Sequence, residues 1–412
     1  MQLRSLVRPE QGLISRQVFT DHGVYERELE KIFARCWLYL GHVSQIPNDG
    51  DFFTTYMGAD SVLVTRAGGT VRAFLNSCTH RGMKVCRTDH GNARDFTCPY
   101  HGWNFANDGR LNGVPGLRQA YNNELDVSKF GLRSVAKLDT FGGLIFATWD
   151  PDAPALLDYL GGMAPYLDRF TDRMEGGIVM IGGVQKWEVP CNWKFIAENF
   201  LADSYHVATT HASVVDIGFR KRPQLRGYQI APGNGHGFCS EQGGIGEGVA
   251  QNAYTDFIKR LRESIDDNPA NRFIPLGHGT VFPNLSFLDT MKFRLLRLSH
   301  PRGPALTESH AMCFVDKALS PELREAVRRN FILSFGPSGM FEVEDGEMWG
   351  EVEDGLRGYM TRQMDFNYAM GLNRDRPVAE QFGLDLPGRA GFYWSELAQR
   401  DYYVRWRELM EA

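Results

Sequence analysis

At 412 residues, 43% hydrophobic and 23% charged, the chain has the composition of a globular protein with room for two or three domains. A net charge of −5 gives no nucleic-acid footprint and no polybasic membrane patch, and no run of about 18 apolar residues marks a membrane span. The N-terminal MQLRSLVRPEQGL lacks the apolar core of a signal peptide, and seven scattered cysteines without such a leader point to a reduced, cytoplasmic protein.

Residues 20–36 read as a helix, with Asp21 as its cap and Leu29, Ile32 and Phe33 as its apolar stripe. From Trp37 to about Trp149 the period changes. Short β-rich runs (DFFTTYM, SVLVTRA, TVRAFLN, LIFATW) alternate with turn signals at Pro47-Asn48-Asp49-Gly50 and Ala67-Gly68-Gly69, which predicts a compact all-β module.

Within that module Cys78-Thr79-His80 is followed, after 17 residues, by Cys98-Pro99-Tyr100-His101. Each half supplies one thiolate and one imidazole. That is the inventory of a [2Fe–2S] cluster with two cysteines on one iron and two histidines on the other. A structural zinc ion is the competing reading. Zinc sites usually pair Cys with Cys and His with His, whereas both halves here are mixed. Cys86 fits neither half and reads as a bystander, and His90 as a solvated loop residue.

Pro and Gly residues after position 150 mark a boundary followed by helix (PDAPALLDYLGGMAPYLDRF), and Trp187, Val189, Trp193 and Phe195 suggest a strand leading into the next motif. The second domain is expected to be α+β, an antiparallel sheet with helices on one side.

The stretch Glu198 to His211, ENFLADSYHVATTH, comes next. Asn199, Asp203 and His206 are spaced by four and three residues, which places them on one stripe of a helix. His211 is five residues beyond His206, about 140° around an ideal helix at roughly 100° per residue. Two histidines so placed cannot share a metal on a regular helix, so a π-bulge or break is predicted between Val207 and His211. Two neutral imidazoles plus one carboxylate form the ligand set of non-haem Fe(II) oxygenases, with open positions left for oxygen.

Gly243 to Gly248 read as a loop near the mouth of a site rather than a dinucleotide fingerprint, Phe257 to Ile265 as a helix, residues 280–316 as strands, and Pro321 to Ile332 as a helix. The third ligand is expected in the segment that follows Phe335. It offers Glu342, Glu344, Asp345 and Glu347, and composition alone does not choose among them.

C-T-H-R-G, then C-P-Y-H-G-W in a β module, then E-N-F-x2-D-x-Y-H-x4-H together resemble the large (α) subunit of Rieske non-haem iron aromatic ring-hydroxylating dioxygenases, over essentially the whole chain. The resemblance implies an all-β Rieske [2Fe–2S] module inserted in a helix-grip catalytic domain. Its expected segments are 1–36, packing on the catalytic domain, 37–153 for the Rieske domain and 154–412 for the catalytic domain. It implies cluster ligands Cys78, His80, Cys98 and His101, and iron ligands His206, His211 and Asp345, the last from the pattern F-G-P-x-G-x2-E-x-D-D. Glu344 stands where the family has Asp, a departure given no bearing on the ligand. Phe200, Val207, Phe335 and Phe341, with Asn199, fall where the family lines its substrate pocket. The implied reaction is NAD(P)H- and O₂-dependent cis-dihydroxylation of a small aromatic substrate, with electrons arriving through a reductase or ferredoxin. A Rieske monooxygenase is the alternative. Asp203 is expected to hydrogen-bond His206 and to bridge to a Rieske histidine of a neighbouring subunit, in an α3 or α3β3 assembly.

Overall fold

The structure, a computed structural model, describes residues 3–172, 174, 176–219, 227–241, 277–290, 293–383 and 385–412. The expected glycine loop at 243–248 and helix at 257–265 lie outside the described residues. Packing divides the chain into two units, Phe33–Leu156 and the combination of Met1–Ile32 with Leu157–Ala412.

The Phe33–Leu156 unit is built from three small antiparallel sheets. One orders its strands Thr70–Leu75, Asp60–Ala67, Asp51–Met57 and His90–Asn92. The second holds Leu111–Gly113, Asn104–Ala106 and Asp95–Thr97, and the third Lys137–Phe141, Leu144–Thr148 and Leu38–His42. Asp60–Ala67 is flanked by strands on both sides, and its Val62, Leu63 and Val64 are fully buried. Leu63, Phe74, Phe96, Trp103 and Phe105 form a core that also encloses the sulfur atoms of Cys78 and Cys98.

The larger unit is organised on a nine-stranded, fully antiparallel sheet. Across it run Ile178–Val189, Leu306–Asp316, Arg294–Gly303, Leu285–Asp289, Gly277–Val281, His236–Glu241, Gly227–Gly233, Arg389–Phe392 and Arg376–Pro377. Ile178–Val189 shifts register between Ile181 and Val184. Gly182 and Gly183 both adopt φ +75° there, a conformation open to glycine and rare for other residues.

The strand expected to run through Trp193 and Phe195 ends at Val189, and both aromatics lie in helix Trp193–Ala202. Pro190 cannot donate to the ladder, and the Asn192 side chain accepts from the Lys194 N–H at 3.1 Å to start the helix. The anticipated N-terminal helix comprises His22–Glu28 and a π turn at Leu29–Phe33, with Asp21 accepting from the Val24 N–H at 2.9 Å.

Helix Trp193–Ala202 packs on the middle strands of the sheet, beside the C-terminal helix Leu397–Glu411. A buried carboxylate joins these helices to His22–Glu28. Glu28 accepts from Lys194 Nζ at 2.6 Å, Trp193 Nε1 at 2.9 Å and Trp406 Nε1 at 2.8 Å. Both side chains of the ion pair are wholly buried. Burial lowers the Lys194 pKa and Glu28 opposes that shift. Removing one partner strands the other charge away from water. Glu28→Ala is therefore expected to lose about 3–5 kcal/mol in denaturant titration. A loss below about 1 kcal/mol would show that the three helices do not depend on this pair.

Candidate metal centres

The smaller unit presents two loops of the same design. The Cys78 N–H donates to Met83 O at 2.8 Å and the Cys78 carbonyl accepts from Gly82 N–H at 2.8 Å. In the second loop the Cys98 N–H donates to Trp103 O at 2.7 Å, and the Cys98 carbonyl accepts from Gly102 N–H at 3.0 Å. Gly82 and Gly102 sit at φ +75° and +71°. Each loop thereby turns back on its cysteine and presents a histidine two or three residues later. The His80 and His101 rings lie 4.6 Å apart, edge to face, and His80 stacks on Trp103 at 5.0 Å. Both sulfurs are buried while both imidazoles retain solvent contact.

Asn76 braces the first loop, its Oδ1 accepting from the N–H groups of Val85 and Cys86 at 3.0 and 2.9 Å. The Cys86 thiol turns to Thr88. His90 is exposed in a strand. A single zinc ion, with ligands at about 2.0–2.3 Å, would gather its donor atoms tightly. Among the described residues the only group of three or more such side chains whose ligand atoms lie within 4.8 Å of one another is His206, His211 and Asp345. The paired loops, with both sulfurs buried and both imidazoles at the solvent side, suit a two-metal cluster with two thiolates on one iron and two imidazoles on the other.

The second centre begins where helix Trp193–Ala202 stops. Asp203 has φ −76° and ψ 81°, outside the helix. Its Oδ1 accepts from the N–H groups of Tyr205 at 3.1 Å and His206 at 3.3 Å, and so restarts the chain into helix Val207–Thr210. A second interruption falls on His211 (φ −99°, ψ 27°), after which Ala212–Asp216 is helical again. The predicted break near His211 is present without a π-bulge. The earlier break at Asp203 means that Asn199, Asp203 and His206 do not share one continuous helix.

These two interruptions turn both imidazoles inward. His206 Nε2 and His211 Nε2 lie 3.4 and 3.3 Å from the same atom, Asp345 Oδ1, and the two rings are 5.1 Å apart. Asp345 comes from helix Met340–Gly355, whose buried face repeats at Glu342, Asp345 and Trp349. That periodicity separates the four acids. Glu342 turns to the sheet and pairs with Arg297, Asp345 faces the imidazoles, Glu344 reaches His211, and Glu347 points to solvent.

Each imidazole also has a carboxylate at its outer nitrogen. His211 Nδ1 is 2.8 Å from Glu344 Oε2, and Glu344 Oε1 accepts from Ser213. His206 Nδ1 lies 3.4 Å from Asp203 Oδ2, an ion-pair distance longer than a good hydrogen bond. Such outer carboxylates fix the tautomer and direct Nε2 at a metal. Sequence reasoning gave Glu344 no role. The available signal was its place beside Asp345, together with the tendency of a ligating histidine to recruit a second carboxylate.

Asp345 Oδ1 is buried without a hydrogen-bond partner, as a ligand oxygen would be. Burial raises its pKa, yet His206 and His211 outweigh that and hold it well below the usual carboxylate range. Burial opposes protonation of His206, but Asp203 and Asp345 push its pKa up to about 10. The site thus favours positive charge, and its donor set of two imidazoles and one carboxylate fits Fe(II).

One side of the centre opens on a cavity of about 320 Å³, lined by Glu198, Asn199, Asp203, His206, Asp345 and Tyr368 among others. Phe200, Val207, Phe335 and Phe341 do not line it. Phe341, Phe335 and Phe200 instead form an aromatic row that starts at His211. His211 meets Phe341 edge-on at 4.9 Å, Phe341 stacks on Phe335 at 5.2 Å, and Phe335 meets Phe200 at 6.2 Å. The Arg297 guanidinium lies over the Phe200 ring at 4.6 Å.

The model of the ring hydroxylating alpha subunit catalytic domain matches residues 168–412, and that of the Rieske [2Fe-2S] domain matches residues 36–136. The biphenyl dioxygenase subunit alpha of Paraburkholderia xenovorans is 39% identical, covering 99% of this chain and 93% of its own length. A benzene 1,2-dioxygenase subunit alpha of Pseudomonas putida is 36% identical, covering 100% and 94%. The crystal structure of naphthalene 1,2-dioxygenase from Rhodococcus sp. bound to indole superposes with a TM-score of 0.85 at 34% identity, covering 99% and 98% of the two chains.

The Glu344–His211 contact carries a direct test. Glu344→Ala is expected to weaken retention of the mononuclear iron about 10- to 100-fold in a chelator competition, leaving the visible spectrum of the cluster unchanged. Equal retention in both proteins would show that this carboxylate does not orient the ligand.

Proposed function

The chain belongs to the family of Rieske non-haem iron ring-hydroxylating α subunits and is an oxygenase, and from that membership we propose that it catalyses the cis-dihydroxylation of an uncharged aromatic ring. One observation carries the reading: two imidazoles converge on one carboxylate at the head of an aromatic row, in a chain that also carries paired Cys/His loops.

His206, His211 and Asp345 would hold the iron on one side and leave the other side to dioxygen and substrate. Iron bound there would supply the activation of dioxygen, and Cys78, His80, Cys98 and His101 would hold the cluster that supplies electrons. Glu344 and Asp203 keep the imidazoles turned toward that point. Phe341, Phe335, Phe200 and Val207 offer flat apolar surface that orients a ring and excludes water. Among the described residues Arg297 is the cation against this row, and Glu342 already neutralises it, so it is not available to hold a substrate carboxylate. This supports a hydrocarbon over an aromatic acid, as do the biphenyl and benzene named in its relatives.

The chain works in a multicomponent system, with electrons drawn from NAD(P)H through a reductase and ferredoxin. A trimer of α subunits, with or without β subunits, in the cytoplasm completes the proposal. No helix among the described residues is long and apolar enough to cross a membrane. Asp203 is half exposed beside His206, where it suits a contact with a Rieske histidine of a neighbouring copy.

Dithionite-reduced protein should give a rhombic EPR signal, with about three irons to two sulfides per chain. Incubation with reductant, O₂ and benzene or biphenyl should yield a cis-dihydrodiol. A sample with stoichiometric zinc and no sulfide, or a monohydroxylated product alone, would overturn the reading.

Asp203 can be dissected in the same assay. Asp203→Asn keeps a side-chain oxygen for the Tyr205 and His206 amides while removing the charge. It is expected to keep both metal centres and lose at least about 10-fold in turnover. Wild-type turnover in this variant would remove Asp203 from the electron path.

A further inference from the structure

Glu198 is a carboxylic acid that the metal centre does not use. It projects from helix Trp193–Ala202 into the same cavity that reaches His206 and Asp345. Both of its oxygens lie 2.9 Å from Tyr368 Oη, and Tyr403 Oη donates to Oε2. Tyr368 follows strand Asp365–Asn367, and Tyr403 belongs to the C-terminal helix, so the carboxyl is gripped from two separate elements. The charged groups around it are Asp203 at the end of its own helix, Glu396 ahead of the C-terminal helix, and Lys194 one turn back. Lys194 is committed to Glu28, at 2.6 Å. No cation among the described residues forms an ion pair with Glu198, an unusual situation for a group so placed.

Burial raises the Glu198 pKa to about 8, the two tyrosines oppose the shift, and Asp203 and Glu396 add to it. The acid therefore carries its proton at neutral pH, and the tyrosines stand ready to stabilise the carboxylate left after the proton departs. The cavity, at about 320 Å³, is large enough to hold several waters. Its polar wall from Glu198 past Asn199 to Asp345 can keep them hydrogen-bonded.

We propose that Glu198 stores and delivers one of the protons that ring dihydroxylation consumes, passing it through cavity water to the His206–Asp345 edge. The proposal rests on the oxygenase reading. The balance is one aromatic ring plus O₂, two electrons and two protons giving one cis-dihydrodiol. The electrons come from NAD(P)H through the electron-transfer partners. The proton leaves a Glu198 oxygen, the electron pair of that O–H bond stays on the carboxylate, and solvent at the cavity mouth reprotonates it. Glu198 acts through water rather than by touching substrate, so it is a proton-holding residue.

Two arms test this on the complete oxygenase. Infrared titration of the resting protein should show a carboxylic acid band that shifts in D₂O, fades as pH rises through about 8, and is absent in Glu198→Gln. In single turnover, Glu198→Gln should form diol about 10²- to 10⁴-fold more slowly, with part of the consumed O₂ released as hydrogen peroxide and an unchanged cluster spectrum. Tyr403→Phe supplies a second variant. It removes a donor that favours the ionised form, so both the band and the alkaline limb of the rate profile should move to higher pH. A missing band, or wild-type rate and coupling in Glu198→Gln, overturns the proton role alone. Wild-type protein that oxygenates no aromatic ring overturns the oxygenase reading and the proton role with it, even if the band is present.

Discussion

Two histidines five residues apart can share one carboxylate only if the helix carrying them is interrupted, and the catalytic unit is arranged around that constraint. The chain leaves helix at Asp203, resumes at His206, and breaks again at His211. Helix interruptions leave N–H groups without partners. Here the Asp203 carboxylate takes two of them, and the same carboxylate faces the outer nitrogen of His206. Backbone geometry and ligand orientation are therefore one problem with a shared solution. Ser204, fully buried and bonded to Tyr393 O at 2.5 Å, fixes the turn from the opposite side.

A site of this kind also needs its supporting helices held in place, and this protein uses buried charge for that purpose. Lys194 and two indoles converge on Glu28, tying the start of the ligand-bearing segment to the N-terminal and C-terminal helices. Arg297 holds Glu342, one turn before Asp345, against the sheet. Burial raises the Glu342 pKa, and the Arg297 guanidinium beside it opposes that shift. Desolvated pairs contribute little net stability when intact, but misplacing either member is costly. They suit a protein that must position side chains to fractions of an ångström.

Much of this was legible in the amino-acid order. Mixed Cys/His halves spaced by 17 residues announced a cluster module, and β-rich runs between glycine turns announced its fold. His206 and His211 drew attention because their offset does not suit a regular helix, and the structure indeed breaks there. Other features resisted reading. Trp193 and Phe195 alternate like strand residues, yet Pro190 and the Asn192 cap turn the segment into helix. The four acids after Phe335 could not be ranked by composition, because the ranking depends on which face of helix Met340–Gly355 meets the sheet. The role of Glu344 depends on a contact across 133 sequence positions, for which its place beside Asp345 was the one local signal. The proposed pocket aromatics look like ordinary core until a metal ligand is found at one end of the row.

Phe200 differs from the other aromatics of that row in one respect. The Arg297 guanidinium lies over its ring at 4.6 Å, so it is also a lid over a buried charge. Phe335 and Phe341 stack on each other, and Phe341 meets His211. A lineage adapting to a new substrate could exchange Phe335 or Phe341 for a smaller or larger residue at the price of local repacking. A small replacement at Phe200 would open a path for water to the Arg297–Glu342 pair and loosen the helix that bears Asp345. Under the proposed function, adaptive change in substrate range should therefore accumulate at Phe335 and Phe341, while Phe200 stays tied to folding.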